Sequence, residues 1–328
     1  MRPSRRTLVI TAPAAAAATL VSLAAGCASP YDRPDPTATS GGSPTPRSPT
    51  TDVPTTGATT AGTTTAGTTT AGTATGTGTG AGMAAGAATA SGPAVVTATS
   101  FASAARRRQV SMVVVTPSGG GRGLPVCVVL HGRGDNARGA VGLLGLDVLL
   151  PAAIRAGAPP FALVTVDGGT AYWHRRASGD DPEAMILDEV RPRLAVTGLR
   201  TDRLALMGWS MGGYGALLLA RRHPDLVVAA AASSPAMWRG YGASAPGAFD
   251  SAADFAAHRV LGTPPAPGVT YRIDCGSADP FAAVSRQAVT DLRPAEHSLG
   301  PGGHTPEYWR SVAPAQLAFV AGALRRAA

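Results

Sequence analysis

Lysine is absent from all 328 residues, so every one of the 28 basic side chains is arginine. Beside 41 glycines and abundant alanine, that bias reads as the codon usage of a GC-rich genome. The net charge of +8 is therefore no argument for a nucleic-acid partner, and none is expected. Arg106-Arg107-Arg108 is the only dense basic run, and its place before a strand pattern reads as a solvated strand edge. Cysteine is equally scarce, with three in the chain. Cys127 and Cys275 each lie in an apolar strand pattern, where a free thiol behaves as a small buried hydrophobe. Their strands are not expected to be neighbours, which argues against a disulfide even in an exported protein. No Cys/His cluster has metal-ligand spacing, so neither a metal nor another cofactor is expected. Asp180-Asp181 reads as the cap of a following helix and not as a cation site.

The first hundred residues lack the apolar surface from which a core is built. Met1 to Ala25 opens with Arg2, Arg5 and Arg6 and continues as an uncharged apolar run, the pattern of an export signal. Ser4-Arg5-Arg6-Thr7-Leu8 resembles a twin-arginine address, and Leu23-Ala24-Ala25-Gly26-Cys27 resembles a bacterial lipobox. That resemblance implies a signal over 1–27 with Cys27 as the lipidated first residue of the mature chain, hence a membrane lipoprotein facing away from the cytoplasm. Plain secretion and an uncleaved anchor are the alternatives. Residues 28–93 are mostly Thr, Ala, Gly, Pro and Ser, with a loose Thr-Thr-Thr-Ala-Gly repeat. Ordering such a segment costs more than its burial returns, so a disordered tether is expected there.

From residue 94 to 328 the pattern changes to alternating strands and helices. Strands are expected at 94–97, 109–116, 126–130, 161–166, 203–207, 226–231, 269–274 and near 295–299. Helices are expected at 137–156, 182–195, 211–222, 281–292 and 306–325. The order predicts one α/β domain, a mostly parallel central sheet with helices on both faces. In such a sheet, functional groups gather in the loops beyond the carboxyl ends of the strands.

One of those loops is Gly208-Trp209-Ser210-Met211-Gly212-Gly213, which joins an apolar strand directly to a helix. Gly-x-Ser-x-Gly in that setting is the signature of a nucleophile elbow, a strained turn that lifts the serine hydroxyl above the sheet. A serine hydroxyl needs a base, and the base needs an acid to orient it. In this fold class they follow in the order serine, acid, histidine. Asp279, in the loop after the 269–274 strand, is favoured as the acid over Asp274, which ends the strand itself. His304, in the glycine-rich loop before the last helix, is favoured as the base over His258 and His297. Backbone donors for an oxyanion are expected from Met211 N–H, after the nucleophile, and from Arg133 N–H, with Gly132 as the alternative. His131 is expected to shape that second loop and not to act as a base, while Asp135-Asn136 cap the following helix. Tyr172, Trp173, Trp238, Tyr241, Phe249 and Phe255 are candidates either for an acyl pocket or for ordinary packing.

Four motifs taken together carry a family resemblance: His131–Asn136, Gly208–Gly213, Asp274–Phe281 and Gly303–Trp309. Over about 109–325 the chain resembles the esterase D / "putative esterase" branch of the α/β-hydrolases, the branch that also holds the antigen 85 mycolyltransferases. The resemblance implies an α/β-hydrolase fold and a serine hydrolase acting on acyl esters, with small-molecule or lipid esters as substrates. Its alternative is acyl transfer by the same residues to a sugar or glycerolipid. Ser210-Met211 and His304–Trp309 are similar to the transferase motifs. Asp279 in place of their glutamate, and Pro306 in place of their tryptophan, depart from them.

Overall fold

The computed structural model describes residues 92–328. The expected export signal, Cys27 and all but the end of the 28–93 linker lie outside the described residues. The strands are β1 (Val95–Ser103), β2 (Arg108–Thr116), β3 (Pro125–Leu130), β4 (Ala162–Val166), β5 (Arg200–Trp209), β6 (Val227–Ser233), β7 (Thr270–Asp274) and β8 (Glu296–Ser298). They form one sheet in the order β1-β2-β4-β3-β5-β6-β7-β8. β2 runs antiparallel to β1 and β4, and β4 through β8 are mutually parallel. This is the mixed, largely parallel sheet of an α/β-hydrolase.

Alternation inside the continuous apolar strands divides the core between two faces. Val126, Val128 and Leu130 of β3, with Leu204 and Leu206 of β5, pack on one side. There they meet the helical stretch that opens with α3 (Pro182–Ala184) and packs through Met185, Ile186 and Val190 into α4 (Arg191–Val196), together with α5 (Met211–Arg222), α6 (Ala252–Ala257) and α7 (Ala282–Leu292). Cys127 and Val129, with Ala205, Met207 and Trp209, face α1 (Ala137–Leu144), α2 (Leu146–Arg155) and α8 (Pro306–Arg326). Each Leu, Ile or Phe fully withdrawn from water here contributes ~1.5–3 kcal/mol. Cys127 and Cys275 are buried and free, and β5 and β6 stand between their strands.

The structure corrects several expectations. The helix expected over 137–156 is two helices, because Gly145 adopts φ 69° and ends α1 with a left-handed cap. The helix expected over 182–195 is interrupted by a π-helical turn, Met185–Val190, in which Arg191 N–H reaches back to Ile186 C=O just before Pro192. In the arginine run Arg107 and Arg108 are exposed as expected of a solvated edge, but Arg106 is not. Arg106 is 2% exposed, pairs with Asp180 and donates to Asp167 C=O at 2.6 Å. Asp181 is the N-cap of α3, accepting from Ala184 N–H at 2.9 Å. Asn136 caps α1 as expected.

Asp274, the rival acid, closes β7 with no side-chain exposure. Both of its oxygens accept from Arg272 at 2.9 Å, and Oδ2 also accepts from Gln316 at 2.8 Å. It is a structural charge. Asp274→Ala takes from the buried Arg272 the partner it bonds twice, leaving it Glu296 alone, and is expected to lower stability by ~3 kcal/mol, measured by chemical denaturation.

Candidate active site

Ser210 stands between β5 and α5 at φ 53° and ψ −119°, a conformation a residue with a Cβ rarely adopts. Hydrogen bonds hold it there. Ser210 N–H donates to Ser233 C=O at 2.9 Å, and Ser210 C=O accepts from Ala236 N–H at 3.0 Å. The glycine that follows permits the turn, because a Cβ on Gly212 would lie 1.9 Å from Leu130 O. Only a bare backbone lets α5 start this close to the end of β3.

The acid and histidine loops are laced to each other beyond β7 and β8. Ser277 N–H donates to Gly300 C=O at 2.7 Å, and Ala278 N–H donates to Gly302 C=O at 2.9 Å. A Cβ on Gly276 would lie 2.2 Å from Gly302 O, so glycine sets the separation of these loops. Thr305, Pro306 and Glu307 then start α8: the Thr305 hydroxyl accepts from Tyr308 N–H, and proline occupies the first turn. His304 is thus fixed immediately before a helix cap. Its ring lies 5.3 Å from that of Phe281 and 5.0 Å from that of Trp309.

These loops bring Ser210, His304 and Asp279 into one hydrogen-bonded chain. His304 Nδ1–H donates to Asp279 Oδ2 at 2.9 Å, and the Ser210 hydroxyl donates to His304 Nε2 at 2.9 Å. A carboxylate only accepts, so the proton is fixed on Nδ1 and the Nε2 lone pair faces the serine. Asp279 Oδ1 accepts from Phe281 N–H at 2.8 Å, so the carboxylate also organises the start of α7. Burial alone would push the Asp279 carboxyl up. Hydrogen bonds from His304, Ser234 and Phe281 outweigh it and hold the group below the usual carboxylate range. Ser210 and His304 remain partly exposed.

Met211 begins α5, where a backbone N–H has no partner within its helix. Arg133 lies in the loop leaving β3, the strand paired with β5 at Leu130 and Gly208. A Cβ on Gly132 would sit 2.6 Å from the Trp209 indole nitrogen, so this loop lies directly against the elbow. Among the described residues, neither the Arg133 nor the Met211 N–H has a protein acceptor. His131 is fully buried and braces the turn: Nδ1–H donates to Gly132 C=O at 2.7 Å, and Nε2 accepts from Gly168 N–H at 2.9 Å. Burial holds it below the usual histidine range, in the neutral form this bonding requires.

The other two histidines are not part of this chain. His297 lies on β8, exposed to solvent. His258 follows α6 and stacks on His174 at 4.2 Å. The aromatic candidates prove to be mainly core. Tyr172, Phe249 and Phe255 are buried, Trp238 is half-buried against them, and the residual cavity beneath Trp238 and Phe249 is about 10 Å³.

Ser234 has no counterpart among the sequence-based candidates. It is fully buried at φ 47°, accepts from the Trp309 indole N–H at 3.1 Å, and helps to hold the Asp279 carboxyl down. Nothing in Ala-Ser-Ser-Pro distinguishes such a serine from a turn residue. Ser234→Ala removes one of the bonds that hold the Asp279 carboxyl down. Its expected effect is a ~10- to 100-fold loss of kcat through misplacement of the acid, measured by steady-state ester turnover.

Residues 103–319 match the family described as "Putative esterase", and the chain belongs to that family. It is accordingly an enzyme of an esterase family. No curated protein sequence matches the chain. Among solved structures, a ferulic acid esterase is similar at 21% identity and TM-score 0.59, over 71% of this chain and 99% of its own. The S-formylglutathione hydrolase of Agrobacterium tumefaciens is similar at 16% identity and TM-score 0.55, over 71% of this chain and 96% of its own. MPT51 of Mycobacterium tuberculosis is similar at 16% identity and TM-score 0.51, over 68% and 96% of the respective chains. At these identities the likeness is one of fold.

Proposed function

We propose that this chain is an exported serine esterase that cleaves small carboxylic esters through an acyl-enzyme on Ser210. The hydrogen-bonded chain from Asp279 through His304 to Ser210 is the observation that supports the reading. Ser210 Oγ attacks the ester carbonyl carbon while His304 Nε2 takes the hydroxyl proton. Asp279 keeps the ring oriented and stabilises the imidazolium. The carbonyl oxygen, now anionic, is held by the Met211 and Arg133 N–H groups. Collapse expels the alcohol, to which His304 returns the proton. Water then repeats the sequence in reverse, releasing the acid and free Ser210.

Acyl transfer is the second reading, supported by the Ser210-Met211 and His304–Trp309 motifs. Asp279 and Pro306, which depart from the transferase pattern, favour hydrolysis. An ester panel of increasing chain length, with methyl ferulate and an S-formyl thioester included, tests the proposal with and without trehalose or diacylglycerol. Release of free acid alone is expected. Acylated acceptor as the main product would assign transfer, and no turnover of any ester would overturn both readings.

The same proposal places the enzyme outside the cytoplasmic membrane, tethered by lipid on Cys27 through the 28–93 linker. The arginine-led apolar segment that ends at Cys27 supports this placement. Cys27→Ala is expected to move the protein from the membrane fraction to the medium and to abolish metabolic labelling by a fatty acid.

A further inference from the structure

The segment between β6 and β7 meets the loop after β4 at a second cluster of reactive side chains, separate from Ser210, His304 and Asp279. His174 has no exposed side-chain surface. Its Nε2 lies 3.2 Å from Ala248 O, and its Nδ1 lies 3.0 Å from Arg175 O and 3.9 Å from Asp254 Oδ1. A neutral imidazole carries one N–H, so either tautomer leaves a lone pair facing a protein oxygen in a buried site. A cation on the second nitrogen removes the conflict. A proton would answer His174 alone, while a second imidazole, His258, stacks on it at 4.2 Å and 25°.

A metal ion fits better. With Nε2–H donating to Ala248 C=O, the bond that commonly orients a metal-bound histidine, the Nδ1 lone pair is left beside two oxygens, Arg175 O at 3.0 Å and Asp254 Oδ1 at 3.9 Å. Asp254 Oδ1 is also 2.9 Å from His258 Nδ1. Asp254 and His258 are spaced i,i+4 at the end of α6, on one face. Ligand atoms of all three residues lie within 4.8 Å of one another. Bonds of ~2.0–2.2 Å in a tetrahedral site place ligand atoms about 3.4 Å apart, so modest side-chain adjustment closes the set. The outer oxygen of Asp254 is already held by Asp250 N–H at 2.8 Å.

We propose that His174, Asp254 and His258 bind one divalent transition metal of the zinc class through two imidazole nitrogens and a carboxylate oxygen. Two imidazoles and one carboxylate suit zinc, nickel or copper better than calcium or magnesium. The ligands come from distant parts of the chain, so no local spacing announces them. The ion ties the β6–β7 segment to the loop after β4. That segment is already bonded to the elbow helix, since Tyr214 OH donates to His258 C=O at 2.9 Å. The site is a brace for the wall beside α5 and takes no part in ester chemistry.

The test is titration of the chelator-treated full chain with Co(II) and Zn(II). Expected are one equivalent bound, a visible Co(II) band of a nitrogen- and oxygen-ligated site, and a Tm raised by about 5–10 °C at a hundredfold excess over Kd. Asp254→Asn and His258→Ala should each weaken binding by ~100-fold or more. The wild-type Co(II) spectrum stands whether or not either variant folds. Absence of saturable binding in the wild type, binding unchanged in both variants, or a protonated His174 in metal-free and metal-treated protein alike would overturn the proposal.

Discussion

Ser210→Ala is expected to lower kcat by about 10⁶-fold, leaving the ~10³- to 10⁴-fold advantage over water that an oxyanion site and binding supply alone. No neighbouring group can substitute. His304 Nε2 faces only this hydroxyl, and the other serine nearest the acid, Ser234, is fully buried and occupied by Trp309 and Asp279. The same position carries a stability effect of opposite sign. At φ 53° and ψ −119° any residue with a Cβ is strained, typically by ~1–3 kcal/mol. Ser210→Gly should therefore be more stable than both the wild type and Ser210→Ala while being equally inactive. Activity and denaturation measured on the three proteins separate the chemical role of the hydroxyl from the backbone cost of displaying it.

Asp279→Asn is the second large effect, with kcat expected to fall ~10⁴-fold and little loss of fold. The two oxygens of Asp279 accept from different donors, Phe281 N–H on Oδ1 and His304 Nδ1–H on Oδ2. Asparagine has one oxygen. If it serves Phe281, the amide N–H turns to His304 Nδ1 and forces the ring proton onto Nε2, where it faces Ser210 in place of a lone pair. If it serves His304, the amide N–H opposes the Phe281 N–H. The first arrangement blocks proton abstraction and the second costs a buried hydrogen bond. Asp274→Asn makes the contrast: its oxygens face Arg272 and Gln316, so it should lose stability while the surviving folded protein retains its kcat.

The elbow is legible in the sequence because its backbone demands appear as glycines at fixed offsets from Ser210, after an apolar strand. The placement of Asp279 and His304 beside Ser210 is legible for a related reason. Loops after strands and before helix caps are where such groups project, and Asp279-Pro280 and His304-Thr305-Pro306 carry those cap signals. Sheet and helix order followed from alternating apolar runs. What escaped depends on contacts between distant segments. Gly145 inside an apolar helical pattern reads as a tolerated glycine until the turn it makes between α1 and α2 is seen. Arg106 reads as a surface charge, because nothing local foretells that Asp180 will receive it. Phe249, Phe255 and Tyr172 are equally suited to line a pocket or fill a core, and only the packed cluster decides for the core. Ser234 and the pair Asp254 and His258 acquire meaning through Asp279 and His174, residues far away along the chain.

The most direct test is mass spectrometry of the full chain after treatment with a fluorophosphonate probe. One probe per chain is expected, on the peptide that contains Ser210, with none on Ser210→Ala and slow labelling of His304→Ala. A label on another serine, an unlabelled wild type, or full ester turnover by Ser210→Ala would contradict the assignment of Ser210 as the nucleophile.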